Sequence, residues 1–180
     1  MGSELVEVTV VRKTSWADVY DLALETMGKE PRGAEPTSAW KRKILRTEHS
    51  PIRALTFKVR LVGVPYWVSV HLVRHKFGVE HYVSTQRTDR TGEARDKKPQ
   101  DAPVNHTIWL NAEAVIAISR KRLCGKASHE TRAVWQKVVD SLREIGEAEL
   151  ADACVPECVH QGGVCHEFTT CGRSPSCWEE

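Results

Sequence analysis

The run Arg74-His75-Lys76 is followed within a short stretch by Ser84, Gln86, Arg87 and Arg90. Cations followed by hydroxyl and amide groups are the makings of an anion cradle. The planar arginine fork donates paired hydrogen bonds to phosphate oxygens, and lysine supplies a point charge. The competing reading is a solvated basic turn, the usual setting of a charge run. A second cluster, Arg120-Lys121-Arg122, closes a helix that begins after Asn111. Cations there are favoured by the helix dipole by about 0.3–1 kcal/mol each. Taken alone, that cluster therefore carries no function.

Cysteine is the other chemistry-bearing residue type. Cys124 stands apart, while Cys154, Cys158, Cys165, Cys171 and Cys177 crowd the end of the chain. In a reducing compartment such a group reads first as metal-binding, then as reduced thiols, and only third as disulfides. Four thiolates meeting in space would suit a tetrahedral zinc or an iron–sulfur cluster. The spacing is not that of paired Cys-x-x-Cys ribbons, so it does not choose the metal.

These residues need elements to hold them. Leu5–Val11 alternates like a strand, and Ser15 caps an expected helix over Trp16–Met27 with Gly28 as its stop. The segment Lys29–Ser38 holds two prolines and a glycine and reads as a loop. Trp40–Arg46 is a short basic helix. Ala54–Val62 puts Leu55, Phe57, Val59 and Leu61 on one face of a half-buried strand. Gly63-Val64-Pro65 reads as a turn into a second alternating strand, Tyr66–Val73, completing an antiparallel hairpin that ends at Arg74. The polar stretch Thr88–His106 is expected to be a long surface loop. Asn111 opens a helix over Ala112–Leu123. Ser128 caps a longer one whose stripe, Trp135, Val138, Val139, Leu142 and Ile145, is core-facing. Strands first and helices later give an α+β class, an antiparallel sheet flanked by helices.

The chain has 180 residues, one domain by size, with 41% hydrophobic and 28% charged residues. That balance argues against a disordered chain, and no run approaches the roughly 20 apolar residues of a membrane span. The start, MGSELVEVTV, lacks the basic and apolar regions of a signal peptide, so a cytoplasmic location is expected. A net charge of only +2 is low for a domain that grips long nucleic acids.

Several segments together carry a resemblance. Arg74-His75-Lys76, seven further residues and Ser84 resemble the Arg-His-Arg…Ser motif of flavin-dependent thymidylate synthases, the ThyX family. His49-Ser50-Pro51 before a strand with Phe57 is similar to the family's upstream segment. Asn111 lies eleven residues before Arg122, and Arg122-Leu123-Cys124 through Arg132 resembles the family's downstream run. The tail, Cys158-x6-Cys165-x5-Cys171-Gly172, is similar to that of a cysteine-bearing subgroup, which also has a Cys matching Cys124.

The resemblance implies reductive C5 methylation of dUMP or a related pyrimidine nucleotide. Methylenetetrahydrofolate would give the carbon, NADPH the electrons and FAD the relay, in a homotetramer. It implies flavin contacts from Arg74, His75, Lys76 and Asn111. It implies nucleotide contacts from Arg74, Ser84, Arg87 and Arg122, with Ser84 and Arg122 nearest the chemistry. A metal held by Cys124, Cys158, Cys165 and Cys171 is implied for the tail, with Cys154, Cys177, His160 and His166 as weaker ligands. The domain would span 1–150, with 151–180 a Cys-rich tail packed on it. The sequence departs from the family pattern at Arg53 and Tyr82 (Glu expected), Gln86 and Glu113 (Arg expected), and Val79 (Ser expected). Lys76 stands for the third motif residue, Arg. The alternative is a nucleotide-binding or regulatory protein on this scaffold that has lost flavin chemistry. His71 on the expected strand, Trp109 and Trp40 are read chiefly as packing groups, with a ligand contact as the lesser reading.

Overall fold

The computed structural model describes residues 6–178. Four strands form one antiparallel sheet in the order β1-β2-β4-β3: β1 (Glu7–Arg12), β2 (Thr56–Pro65), β3 (Val79–Val83) and β4 (Pro103–Asn111). The α+β class with an antiparallel sheet is what the sequence predicts. The sheet is amphipathic because β2 alternates. Phe57, Val59 and Leu61 are buried, as are their partners Leu110, Ile108 and His106 on β4. The opposite face carries Lys58, Arg60 and the exposed rings of Tyr82 and Trp109.

Helices cover the buried face. They are α1 (Trp16–Glu25), α2 (Ser38–Thr47), α3 (Tyr66–Leu72), the single turn α4 (Thr88–Thr91), α5 (Ala112–Arg122), α6 (His129–Glu144), α7 (Ala148–Ala153) and α8 (Glu157–His160). The caps are local sequence effects. Ser15 and Asp18 form a reciprocal capping box on α1, Asn111 accepts from the Ala114 N–H at 2.9 Å, and Ser128 accepts from the Thr131 N–H. On α6, Trp135, Val138, Val139 and Leu142 are buried as expected, and Trp135 donates its indole N–H to the buried Ser119 hydroxyl at 2.8 Å. Ile145 is not core: it is the C-cap residue, 41% exposed, where the helix has already ended. Beyond it, Leu150, Ala151 and Cys154 join the same core cluster as the sheet.

Two expectations fail. Tyr66–Val73 is no strand but the helix α3, and Gly63 lies within β2, at a register shift between Leu61 and Val64. Seven residues with apolar groups at alternate positions also place Val68 and Leu72 four apart, so periodicity over so short a run fits both forms. Tertiary partners decide it. The first-turn N–H groups of Tyr66 and Trp67 donate to the carbonyls of Ala102 and Gln100, and Val68, Ser69 and Leu72 turn inward. Second, the expected loop over Thr88–His106 contains α4 and a 3-10 turn at Arg95–Lys97, and it gives way to β4 at Pro103. The alternation was present in Val104, His106, Ile108 and Leu110, but its second member is a histidine. The elements interleave along the chain rather than running strands first.

Glu147 ties the N-terminal strand to the helical layer. Its carboxylate is buried and accepts from Trp16 Nε1 at 2.8 Å and from Arg12 Nη1 at 2.6 Å. Removing it strands a buried indole N–H. We predict that Glu147→Leu lowers unfolding stability by about 1–3 kcal/mol in urea titration, while Glu147→Gln, which keeps an acceptor, costs less.

Candidate functional site

The loop 73–78 between α3 and β3 presents Arg74, His75 and Lys76 beside the start of α5. A cleft of about 190 Å³ is lined by these three, Phe77, Ala114 and Ile118. A neighbouring cleft of about 280 Å³ is lined by Lys76, Gly78 and Asn111 together with Arg53, Glu80 and Trp109. Lys76 belongs to both. The turn is closed at Gly78, whose φ of +66° suits glycine, and the Asn111 N–H donates to the Gly78 carbonyl at 3.1 Å. A Cβ at Gly78 would sit 2.6 Å from the Asn111 amide nitrogen.

Arg122 reaches this loop from the last turn of α5. Its Nε donates to His75 Nε2 at 2.9 Å and its Nη2 to the His71 carbonyl at 2.6 Å. The bond fixes the histidine's form: Nε2 accepts, so the neutral ring carries its proton on Nδ1. Burial, then the Arg122 guanidinium, then His81, hold the His75 ring down to about 4. Burial and the nearby Arg74 also lower Arg122. Two guanidinium groups thus repel each other here. Neither Arg74 nor Lys76 has a hydrogen-bonding or ion-pair partner for its side chain among the described residues.

Behind the loop, the half-buried His81 and the buried His106 form a chain of imidazoles that no sequence motif marks. His81 Nε2 lies 2.9 Å from the His75 carbonyl and so donates to it. His81 Nδ1 then accepts from His106 Nε2 at 3.0 Å, and His106 Nδ1 accepts from the Ser69 hydroxyl at 3.1 Å. With both rings neutral, each has one donor and one acceptor and the chain closes. Burial, followed by His81, pushes His106 down to about 4, and burial lowers His81 as well. Strand alternation is the signal that would have found it: His81 and His106 share the inward face with Ile108 and Leu110. His71 is the satisfied structural group, its Nδ1 3.0 Å from the Thr131 hydroxyl.

Two sequence departures prove to be one feature. Arg53 and Glu113 form a bidentate ion pair at 2.9 and 3.0 Å. The resemblance would place Glu and Arg at these positions, and here the two departures satisfy each other. Other expected residues are not brought in. Ser84 follows β3, its hydroxyl accepting the Asn105 N–H at 3.0 Å. Arg87 spends both donor edges on Asp89 at the surface, at 2.9 and 2.7 Å. Neither lines the two clefts. Trp109 lines one of them, with Lys13 Nζ 5.8 Å from its ring centre, whereas Trp40 packs edge-on against Tyr20.

The expected four-cysteine metal site is not assembled. Among the described residues no three His, Cys, Asp or Glu side chains are grouped to hold a metal ion. The cysteines are held by separate contacts. Cys165 is tied by its backbone to Pro175 and Cys177, Cys171 is exposed against Gly125, and Cys158 is buried in α8. Cys154 lies in the core, where burial pushes its thiol up to about 12. All six thiols are free. No helix among the described residues is long and apolar enough to cross a membrane.

This sheet and helical cover define an α+β fold shared with solved flavin-dependent thymidylate synthases. ThyX from Helicobacter pylori, solved with FAD and dUMP, superposes with a TM-score of 0.65 at 13% identity, over 83% of this chain and 99% of that one. The UMP/dUMP methylase PolB from Streptomyces cacaoi, bound with 5-Br dUMP, gives 0.60 at 14% identity, over 82% and 94%. No protein-family model matches the sequence, and no curated protein matches it. At such identities the likeness is one of fold.

Two predictions follow from the geometry. Gly78→Ala, strained in φ and pressed on Asn111, should cost about 1–3 kcal/mol of stability, read by thermal melting. His75 and His106 have native values of about 4 against a usual 6.5. The unfolded chain therefore binds more protons between those values, so stability is fully present above pH 6.5 and falls as pH drops towards 4. Denaturant midpoints measured across that window should decline, and His106→Leu should flatten the slope.

Proposed function

We propose that the protein is a FAD-dependent, thymidylate synthase-like enzyme that methylates C5 of dUMP or a related pyrimidine nucleotide. Methylenetetrahydrofolate is the carbon donor and NADPH the reductant. The observation that carries this reading is that Arg74 and Lys76 line adjoining clefts without an ion-pair partner among the described residues, while Arg122 reaches the same loop through His75. Guanidinium groups that repel each other are stabilised by an anion between them, and phosphate suits their geometry. The donors fit FAD and nucleotide alike.

In this reading Arg74, His75, Lys76 and Asn111 hold the flavin. Arg122, with Arg74, binds the nucleotide, and its bond to neutral His75 sets the angle of the guanidinium. Bound flavin supplies hydride transfer, and the chain supplies position and charge. Ser84 and Arg87 complete the nucleotide site from outside the clefts, in a homotetramer whose subunits share sites. The tail 151–180 packs on the 1–150 domain as one unit. A second reading, a nucleotide-binding regulatory protein without flavin chemistry, is favoured by one observation: Arg53 and Glu113 satisfy each other rather than standing free for a cofactor.

Absorbance spectra after FAD addition and desalting separate the two. Retained flavin bands, lost in Arg74→Ala with the fold intact by circular dichroism, support the enzyme. A colourless protein that still binds dUMP supports the second reading. Arg122→Ala should weaken dUMP binding by about tenfold or more, since it removes a charge-assisted contact.

A further inference from the structure

A larger cleft lies away from those loops, between α6 and the cysteine-rich tail, with a volume of about 450 Å³. One helical stripe supplies its wall: His129, Arg132, Gln136 and Arg143, at positions separated by three, four and seven residues. The floor is apolar, formed by Leu123, Val139, Cys154 and Pro156. Arg173 closes it from the tail.

The charges are not balanced inside. No carboxylate lines the cleft. Arg143 pairs outward with Asp152 and Asp140, at 3.1 and 3.6 Å. Arg132 makes only a 3.5 Å bond to the Gly125 carbonyl, and Arg173 forms no ion pair among the described residues.

Arg173 is also presented by a built turn. The Thr170 hydroxyl donates to the Ser174 carbonyl at 2.8 Å and accepts the Gly172 N–H at 3.0 Å, with Gly172 at φ +85°. The turn is docked: a Cβ on Gly125 would lie 2.8 Å from Cys171 Sγ, so only glycine lets the tail approach the α5–α6 connection this closely. The Arg173 backbone N–H in turn holds the exposed Cys171 thiol below its usual value.

We propose that this cleft binds a small molecule bearing an oxyanion, phosphoryl or carboxylate, on an apolar body. Arg132 and Arg173 grip the anion from opposite walls, Gln136 and His129 add donors, and the apolar floor takes the body. The volume falls in the usual range for small-ligand sites, about 300–1,000 Å³. The site is separate from the Arg122–His75 region, because α6 turns Thr131 towards His71 and Arg132 towards the cleft. It stands whether or not the chain binds flavin.

Calorimetric titration of the full chain with phenyl phosphate, benzoate and inorganic phosphate tests this. The expected result is binding of phenyl phosphate or benzoate, whichever is tighter naming the anion, with inorganic phosphate weaker. Arg132→Gln and Arg173→Gln should each weaken it by about tenfold, the loss of one charge-assisted contact. Arg122→Ala should leave it unchanged. Arg173 is exposed in the tail, so its variant reports even if Arg132→Gln misfolds. Absence of binding by both organic probes overturns the proposal. So does binding that survives Arg173→Gln but is lost in Arg122→Ala, or inorganic phosphate binding as tightly as phenyl phosphate.

Discussion

The contact between Arg122 and neutral His75 sets the terms for the surrounding structure. A guanidinium donates to His75 Nε2 only while that nitrogen carries no proton, and a second cation, Arg74, stands nearby. Burial keeps the ring neutral, and three further hydrogen bonds from His81, His106 and Ser69 hold its backbone in place. The connection gathers α3, β3, β4 and the end of α5. A loop carrying unpaired positive charge is thereby fixed on a rigid frame, the condition for anion recognition at low reorganisation cost.

A second polar contact borders the same clefts. Arg53 and Glu113 tie the 3-10 turn at 50–54 to the start of α5. An exposed pair contributes little stability. Its importance is positional, because Arg53 lines the cleft shared with Asn111 and Lys76. A ligand there meets a different arrangement of charge from the one the family resemblance implies.

The tail is where the chemistry read from composition and the geometry part. Clustered cysteines pointed to a metal, whereas the folded tail uses glycine turns and backbone bonds to lay Arg173 over α6. Cysteine count carries no information about whether thiols converge. Convergence depends on the path of the chain between them, and three glycine-containing stretches set that path here, at Gly125, Gly162–Gly163 and Gly172.

By itself the sequence determined the local features: the caps at Ser15, Asn111 and Ser128, the core stripe of α6, the alternating strand β2, and the motif residues Arg74, His75, Lys76 and Arg122. Each depends on neighbours within a few positions, where periodicity and capping chemistry act. Only the tertiary structure decided that Tyr66–Leu72 is helical, that His81 and His106 link into one chain, and that Arg53 meets Glu113. Those outcomes join residues 25 to 60 positions distant in sequence. They depend on which backbone groups and charges another element supplies, and no local pattern encodes that.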